Sequence, residues 1–292
     1  MDAQFAPAKV NLFLHVGARG ADGYHPIQSL MAFADIGDEL VASPAERFEL
    51  SVDGPFAGDL DDAGENLVAR ARDRLLSALD FRPSPFRLRL TKTLPIASGL
   101  GGGSADAAAA LRLISAMADA DPHGDVVAAT ARALGSDVLA CLFSKPALAR
   151  ARGEVLEPPP PLPNLDVVLV NPLIPSPTAD VYRAYDLSPS PEGANAPASL
   201  RLRGVQDAVA FLRECRNDLE APAVRLRPQI GEVLATLMAQ PETLLARMSG
   251  SGATCFALCE NPSAAEALAE RLASLSPNWW VRRTVLAGSE GP

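Results

Sequence analysis

Pro95-Ile96-Ala97-Ser98-Gly99-Leu100-Gly101-Gly102-Gly103-Ser104-Ala105-Asp106 runs without a break into Ala107–Ala110. Four of the five residues 99–103 are glycine. The alanine-rich stretch behind them predicts a helix over Ser104–Met117. Glycine lets a backbone come close to a ligand and turn its N–H groups toward it. A helix N-terminus adds unsatisfied N–H donors and the positive end of the helix dipole. That end favours an anionic group by about 0.3–1 kcal/mol when exposed and up to ~2 kcal/mol when partly buried. The chemistry is that of a phosphate cradle. A flexible turn before a helix is the plain alternative, but a turn rarely needs so many glycines. The stretch lacks the Gly-Lys-Ser/Thr ending of a Walker A loop, and Ser104 stands where a dinucleotide fingerprint has its last glycine.

Three other segments carry chemistry. Lys9–Val16 alternates as a strand, with Val10, Leu12, Leu14 and Val16 on one face and Lys9, Asn11, Phe13 and His15 on the other. With the first set in the core, Lys9 and Asn11 point together the opposite way. A lysine there suits neutralising phosphate or a hydroxyl losing its proton; an exposed surface lysine is the alternative. The turn Asp22-Gly23 delivers Tyr24 and His25 behind this strand. Leu134-Gly135-Ser136-Asp137-Val138 is a loop in which Asp137 is a candidate general base or a turn-forming residue. Arg247-Met248-Ser249-Gly250-Ser251-Gly252-Ala253-Thr254 fits a phosphate contact, a brace for the first loop, or a plain turn.

Around these segments, strands and helices mix without a regular βαβ beat, so the fold class is α+β. Further helices are expected over Glu65–Leu79, Asp125–Leu134, Thr178–Tyr185, Gln229–Met238 and Ala264–Ser274. Strands are expected over Phe86–Leu90, Leu165–Val170, Thr254–Leu258 and Trp279–Leu286. Pro158–Pro161, extended by Pro163, is a stiff connector. It suggests an N-terminal domain of residues 1–157 and a C-terminal domain of 158–292. Ser188–Ala198, with Pro189, Pro191, Gly193 and Pro197, reads as a loop.

The 292 residues are 48% hydrophobic and 21% charged, which is globular composition. A net charge of −9 argues against a nucleic-acid partner. No stretch is long and apolar enough to span a membrane, and Met1–Phe5 does not open a signal peptide. Cys141, Cys215, Cys255 and Cys259 form no C-x-x-C pair, and Cys255 and Cys259 are expected in the core. The expectation is a reduced, cytoplasmic protein, monomeric or homodimeric. Of the 26 basic residues only Lys9, Lys92 and Lys145 are lysine, so each is a marked choice in an arginine-using chain.

The glycine stretch, Pro-x3-Gly-Leu-Gly-Gly-Gly-Ser-x-Asp-Ala-Ala, resembles the phosphate-binding motif of the GHMP small-molecule kinase superfamily. Pro7-Ala8-Lys9-Val10-Asn11-Leu12 together with Asp22-Gly23-Tyr24-His25 narrows the resemblance. It points to the branch that phosphorylates the 2-hydroxyl of a cytidine diphosphate-linked methylerythritol in non-mevalonate isoprenoid synthesis. Matching segments run from about residue 6 to 257. The resemblance implies an N-terminal domain like the second domain of ribosomal protein S5 and a ferredoxin-like C-terminal domain. It implies ATP and Mg2+ as cofactors, with Ser104 beside the metal. Lys9 and Asp137 match the catalytic positions. Pro95, Ala97, Gly99, Leu100, Gly101, Gly102, Gly103 and Ser104 would form the ATP site, with Gly99 to Ser104 holding the phosphates and Asp106 nearby, and Asn66 would lie by the nucleotide base or ribose. Asn11, Tyr24, His25, Thr178 and Tyr182 would bind the small-molecule substrate, with Tyr24 and Tyr182 sandwiching cytosine and His25 hydrogen-bonding it. Homoserine or mevalonate kinase is the nearest rival, but a cytidine pocket has no purpose in either. A catalytically dead nucleotide-binding protein is the other rival, against which stands the presence of both Lys9 and Asp137. Ala105, Leu139-Ala140-Cys141 and the basic run Ala149–Glu154 depart from the pattern without removing a residue assigned to chemistry.

Overall fold

The computed structural model describes residues 3–59, 66–159, 161–195 and 202–288. In chain order it begins with β1 (Ala3–Val16), β2 (Ile27–Pro44), β3 (Glu49–Asp53), α1 (Leu67–Ala78), β4 (Phe86–Thr91), α2 (Gly102–Met117), α3 (Asp125–Leu134) and α4 (Ser136–Phe143). It continues with β5 (Ala147–Ala151), β6 (Val155–Glu157), β7 (Leu165–Asn171), α5 (Thr178–Asp186), α6 (Val205–Glu214) and α7 (Glu220–Leu226). The last elements are α8 (Pro228–Met238), β8 (Leu245–Met248), β9 (Cys255–Leu258), α9 (Pro262–Leu275) and β10 (Trp280–Leu286). Glu65, Pro160 and residues 196–198, which belong to expected features, lie outside the described residues.

The expected elements are present with ends moved by a residue or two. Asn66 starts α1 by accepting the Val68 N–H on its side chain at 2.9 Å, one of the orphan donors of the first turn. Pro228 and Pro262 each open a helix, where a missing N–H is harmless. Other differences are larger, among them that Leu134–Val138, expected as a loop, passes at Ser136 into α4, so Asp137 lies in the first turn of a helix. β1 starts at Ala3 and is buried on both faces from Ala6 to Val16, so Lys9 and Asn11 do not face solvent opposite a core. Alternation separates the two faces of a strand but says nothing about whether both are covered. The 18-residue β2 was not expected, because Asp35, Gly37, Asp38 and Glu39 interrupt its apolar pattern midway.

The chain forms two compact units that interleave along the sequence. The first comprises Met1–Lys9, Ile36–Ile96 and Gly101–Ser144. In it, β4 runs antiparallel to the second half of β2 (Glu39 opposite Thr91) and parallel to β3. Helices α1, α2, α3 and α4 pack on one another. Alanine dominates the buried face of α2, from Ala105 to Ala110, which lets neighbouring helices come close.

The second unit comprises Val10–Asp35, Ala97–Leu100 and Lys145–Pro292. Its sheet is antiparallel in the order β10-β7-β9-β8, and β5 pairs the first half of β2. Helices α8 and α9 cover this sheet, burying Ile230, Val233, Leu237, Leu268 and Leu272 against Val168, Val170, Cys255 and Ala257. All four cysteines are buried free thiols, with Cys255 and Cys259 in this core as expected. Among the described residues no helix is long and apolar enough to cross a membrane.

Candidate active site

In the first unit Lys9 is brought to Asp137. The Lys9 side chain is 5% exposed, and its Nζ lies 3.1 Å from Asp137 Oδ2. Asp137 sits in the first turn of α4, where the helix dipole favours a carboxylate. Gly101 packs against the pair. It has φ +66°, and a Cβ there would lie 3.1 Å from Lys9 Cε and 4.0 Å from Asp137 Oδ2. Its backbone angle favours glycine, and any larger residue there would have to shift the Lys9 side chain by a few tenths of an ångström. The far end of α4 is fixed by Arg112, which donates to the Cys141 carbonyl at 2.9 Å and to the Phe5 carbonyl at 2.7 Å. One guanidinium thus satisfies a terminal carbonyl of the helix bearing Asp137 and holds the start of the strand bearing Lys9.

Gly102, Gly103 and Ser104 form the first turn of α2, after Gly101 in the left-handed region. The helix begins two residues earlier than its alanines suggest, so the glycines themselves present the first N–H groups. Asp106 is turned inward. Its Oδ2 is 2.7 Å from Lys92 Nζ, which also binds Asp38; all three side chains are at most 5% exposed. Burial works against the Lys92 charge, but the two carboxylates outweigh it and hold its pKa above the usual value. Burial pushes Asp106 upward, and the Lys92 ammonium opposes that push. Pro95 is buried and Asn66 caps α1.

In the second unit the tip of the glycine loop is held by the stretch 249–254. The Thr254 N–H donates to the Ser98 carbonyl at 2.9 Å, and Ser249 Oγ donates to the Gly99 carbonyl at 2.9 Å. A Cβ on Gly99, which has φ +78°, would fall 2.3 Å from the Ser249 carbonyl oxygen. Of the three uses open to that stretch, bracing the loop is the one the structure displays. Leu100 is buried, and Ala97 is exposed with φ +48°.

The residues expected to hold substrate are tied into the same unit. The Asn11 N–H donates to Ser249 Oγ at 3.1 Å, and its side-chain amide donates to Ser29 Oγ at 2.7 Å. Thr178 Oγ1 shares a hydrogen bond with Ser251 Oγ at 2.8 Å. His25 Nε2 pairs with Asp186 Oδ1 at 2.6 Å, and its ring lies 4.9 Å from that of Tyr182. Tyr24 is 57% exposed, its N–H bonded to Asp22, with the Arg152 guanidinium 4.3 Å over its ring. Arg152 also pairs with Asp22.

Sequence reasoning missed five supporting residues: Asp38, Lys92, Arg112, Arg152 and Asp186. The scarcity of lysine marked Lys92, and the basic run at 149–154 marked Arg152. Nothing in the sequence singled out the others, which meet their partners across long separations.

Residues 66–145 match the GHMP kinases N-terminal domain, and residues 199–278 match the GHMP kinases C-terminal domain. The 4-diphosphocytidyl-2-C-methyl-D-erythritol kinase of Caulobacter vibrioides is 54% identical over 97% of this chain and 98% of its own. That of Paramagnetospirillum magneticum is 45% identical over 94% of this chain and 95% of its own. A crystal structure of 4-(cytidine 5'-diphospho)-2C-methyl-D-erythritol kinase is similar with a TM-score of 0.80 and 36% identity, over 98% of this chain and 100% of that one. Homoserine kinase from Cytophaga hutchinsonii, at 20% identity and a TM-score of 0.70 over 100% and 96% of the two chains, shares the fold.

Proposed function

This chain belongs to the 4-diphosphocytidyl-2-C-methyl-D-erythritol kinases of the GHMP kinase superfamily, and we propose that it transfers the γ-phosphoryl group of ATP to the 2-hydroxyl of 4-diphosphocytidyl-2-C-methyl-D-erythritol. The product is the 2-phosphate, an intermediate of methylerythritol phosphate isoprenoid synthesis. The observation that carries the chemistry is the Lys9–Asp137 pair packed against Gly101 at the start of α2.

Transfer is direct and in line. Asp137 takes the proton from the substrate hydroxyl as its oxygen bonds to the γ-phosphorus. The bond from that phosphorus to the β–γ bridging oxygen breaks, and ADP leaves. Lys9 holds the Asp137 carboxylate in one orientation and lies beside the negative charge that develops. A positioned base supplies roughly 10²–10⁴-fold. Most of the rest comes from orientation and electrostatic stabilisation, since phosphoryl transfer asks little covalent work of a protein. The glycines from Gly99 to Gly103 and Ser104 cradle the phosphates with backbone N–H groups and the α2 terminus. The Ser104 hydroxyl would help hold a Mg2+ ion brought with ATP, which would offset the negative charge of the phosphates. Among the described residues no cluster of three or more His, Cys, Asp or Glu is placed to hold a metal ion.

Tyr24, His25 and Tyr182 take the cytosine, and Asn11 and Thr178 complete substrate binding. The Tyr182 ring beside His25 and the exposed face of Tyr24 support this assignment. The enzyme acts in the cytoplasm. An ADP-release assay with Mg-ATP tests the reading on four alcohols: the cytidylated substrate, its cytidine-free analogue, homoserine and mevalonate. Turnover confined to the first is expected. Turnover on another alcohol would keep Lys9 and Asp137 but discard the cytosine pocket, and ATP binding without turnover on any would overturn the kinase reading.

A further inference from the structure

We propose that Lys92 is a positioning residue: bonded to Asp38 on one side and Asp106 on the other, it fixes both ends of the phosphate loop and so sets ATP affinity. The inference rests on residues 95–104 being that loop. On the entry side, Asp38 Oδ1 accepts the N–H groups of Thr93 at 2.6 Å and Leu94 at 2.9 Å, the two residues immediately before Pro95. Thr93 Oγ1 donates to the Gly37 carbonyl at 2.6 Å, and the Lys92 N–H donates to the Asp53 carbonyl at 2.7 Å. The strand leading into the loop is therefore held from both flanks. On the exit side, Asp106 lies one turn into α2, directly beneath Gly102. Lys92 Nζ is 2.7 Å from Asp106 Oδ2, and a Cβ on Gly102 would come within 3.3 Å of the same ammonium. The ammonium thus stands behind the first helical residue of the cradle and joins it to the strand that delivers the loop.

Energetics argue for a geometric purpose. Taking one ammonium and two carboxylates out of water is costly, and an apolar trio of similar volume often stabilises a protein as well or better. A sealed network does supply fixed direction. Backbone donors aimed at phosphate are effective only when held close to their working positions before the ligand arrives. Lys92 is itself 2% exposed and acts through the loop.

The test compares the full-length wild type with Asp106→Asn, Asp106→Ala and Lys92→Met. KM is measured for Mg-ATP and for the cytidylated alcohol, and inorganic tripolyphosphate binding is measured by calorimetry. Asparagine keeps an oxygen for Lys92 and should hold the ATP KM within about threefold, whereas alanine cuts the tie and should raise it about tenfold or more. Tripolyphosphate affinity should fall in parallel, with the alcohol KM within about twofold. Lys92→Met should match or exceed the alanine effect; if it fails to fold, the two Asp106 variants decide. Folded Asp106→Ala with a wild-type ATP KM, even at reduced melting temperature, would overturn the proposal. So would Asn and Ala behaving alike, which would mean that the charge acts rather than the tie. Failure of the wild type itself to bind tripolyphosphate or turn over ATP would instead overturn the reading of the loop.

Discussion

Lys9 and Lys92 are both buried, both paired with aspartate, and both close to a glycine at the start of α2, yet their settings differ. Lys9 has a partner whose side chain is 37% exposed, while the two carboxylates around Lys92 are at most 5% exposed. A carboxylate that a ligand can reach can accept a proton from it; a sealed one can only hold its neighbours in place. On the proposed reading, the pairing of lysine with aspartate is chemical at one position and architectural at the other, and solvent access to the acid separates them.

The comparison breaks most visibly at Asp137. Asp137→Asn should lower turnover about 10²–10⁴-fold while ATP binding stays within about twofold and the unfolding midpoint hardly moves. Steady-state kinetics, calorimetry and a urea melt check the three parts, and Lys9→Met should lose turnover on a similar scale. Retained turnover in Asp137→Asn would remove the distinction between the two lysines. The reverse pattern is expected at Asp38. Asp38→Ala leaves a buried ammonium short of a partner, so it should cost about 3–5 kcal/mol in urea unfolding. A loss below about 1 kcal/mol would mean that the network is not sealed in solution.

A milder test extends the comparison to the second unit. Tyr24 is open to solvent, so Tyr24→Ala should leave stability nearly unchanged. It should raise the KM of the cytidylated substrate by the equivalent of about 1–3 kcal/mol of base stacking and spare the KM of ATP. Equal rises in both constants would take Tyr24 out of base recognition. The smallest effect is expected at Cys141, one turn along α4 from Asp137. Burial pushes its thiol up to about 12, so at pH 8 it is protonated as well as covered. A maleimide should leave it unmodified in the native protein and label it in urea. Rapid native labelling would show that access does not end within one turn of the Asp137 carboxylate.

Much of this was legible in the chain itself. The glycine loop and the helix behind it stood out because they depend on local residue types, glycines before alanines, while Lys9 and Asp137 were marked out by the family resemblance. The tethers did not stand out. Asp38 meets Lys92 across 54 residues and His25 meets Asp186 across 161. Pairings of that span depend on strand order and packing, which local pattern does not encode. β2 escaped for the same reason. Its middle reads as polar, and Asp38 is buried there only because Lys92 arrives from another strand. The burial of β1 on both faces was equally hidden, since alternation reports sides and not coverings.

The grip of Ser249 and Thr254 on the loop tip has a consequence for how the protein is made. The oxygen of Gly99 receives its hydrogen bond from a residue 150 positions later. A ribosome adds that stretch 150 residues after Gly99, so over that span of elongation the nascent chain carries the complete glycine motif without the contacts that give the tip its shape. Domains generally fold as they emerge. Here the shape of the loop tip is conferred late, and a product truncated anywhere before residue 249 would possess the motif's letters and lack that shape.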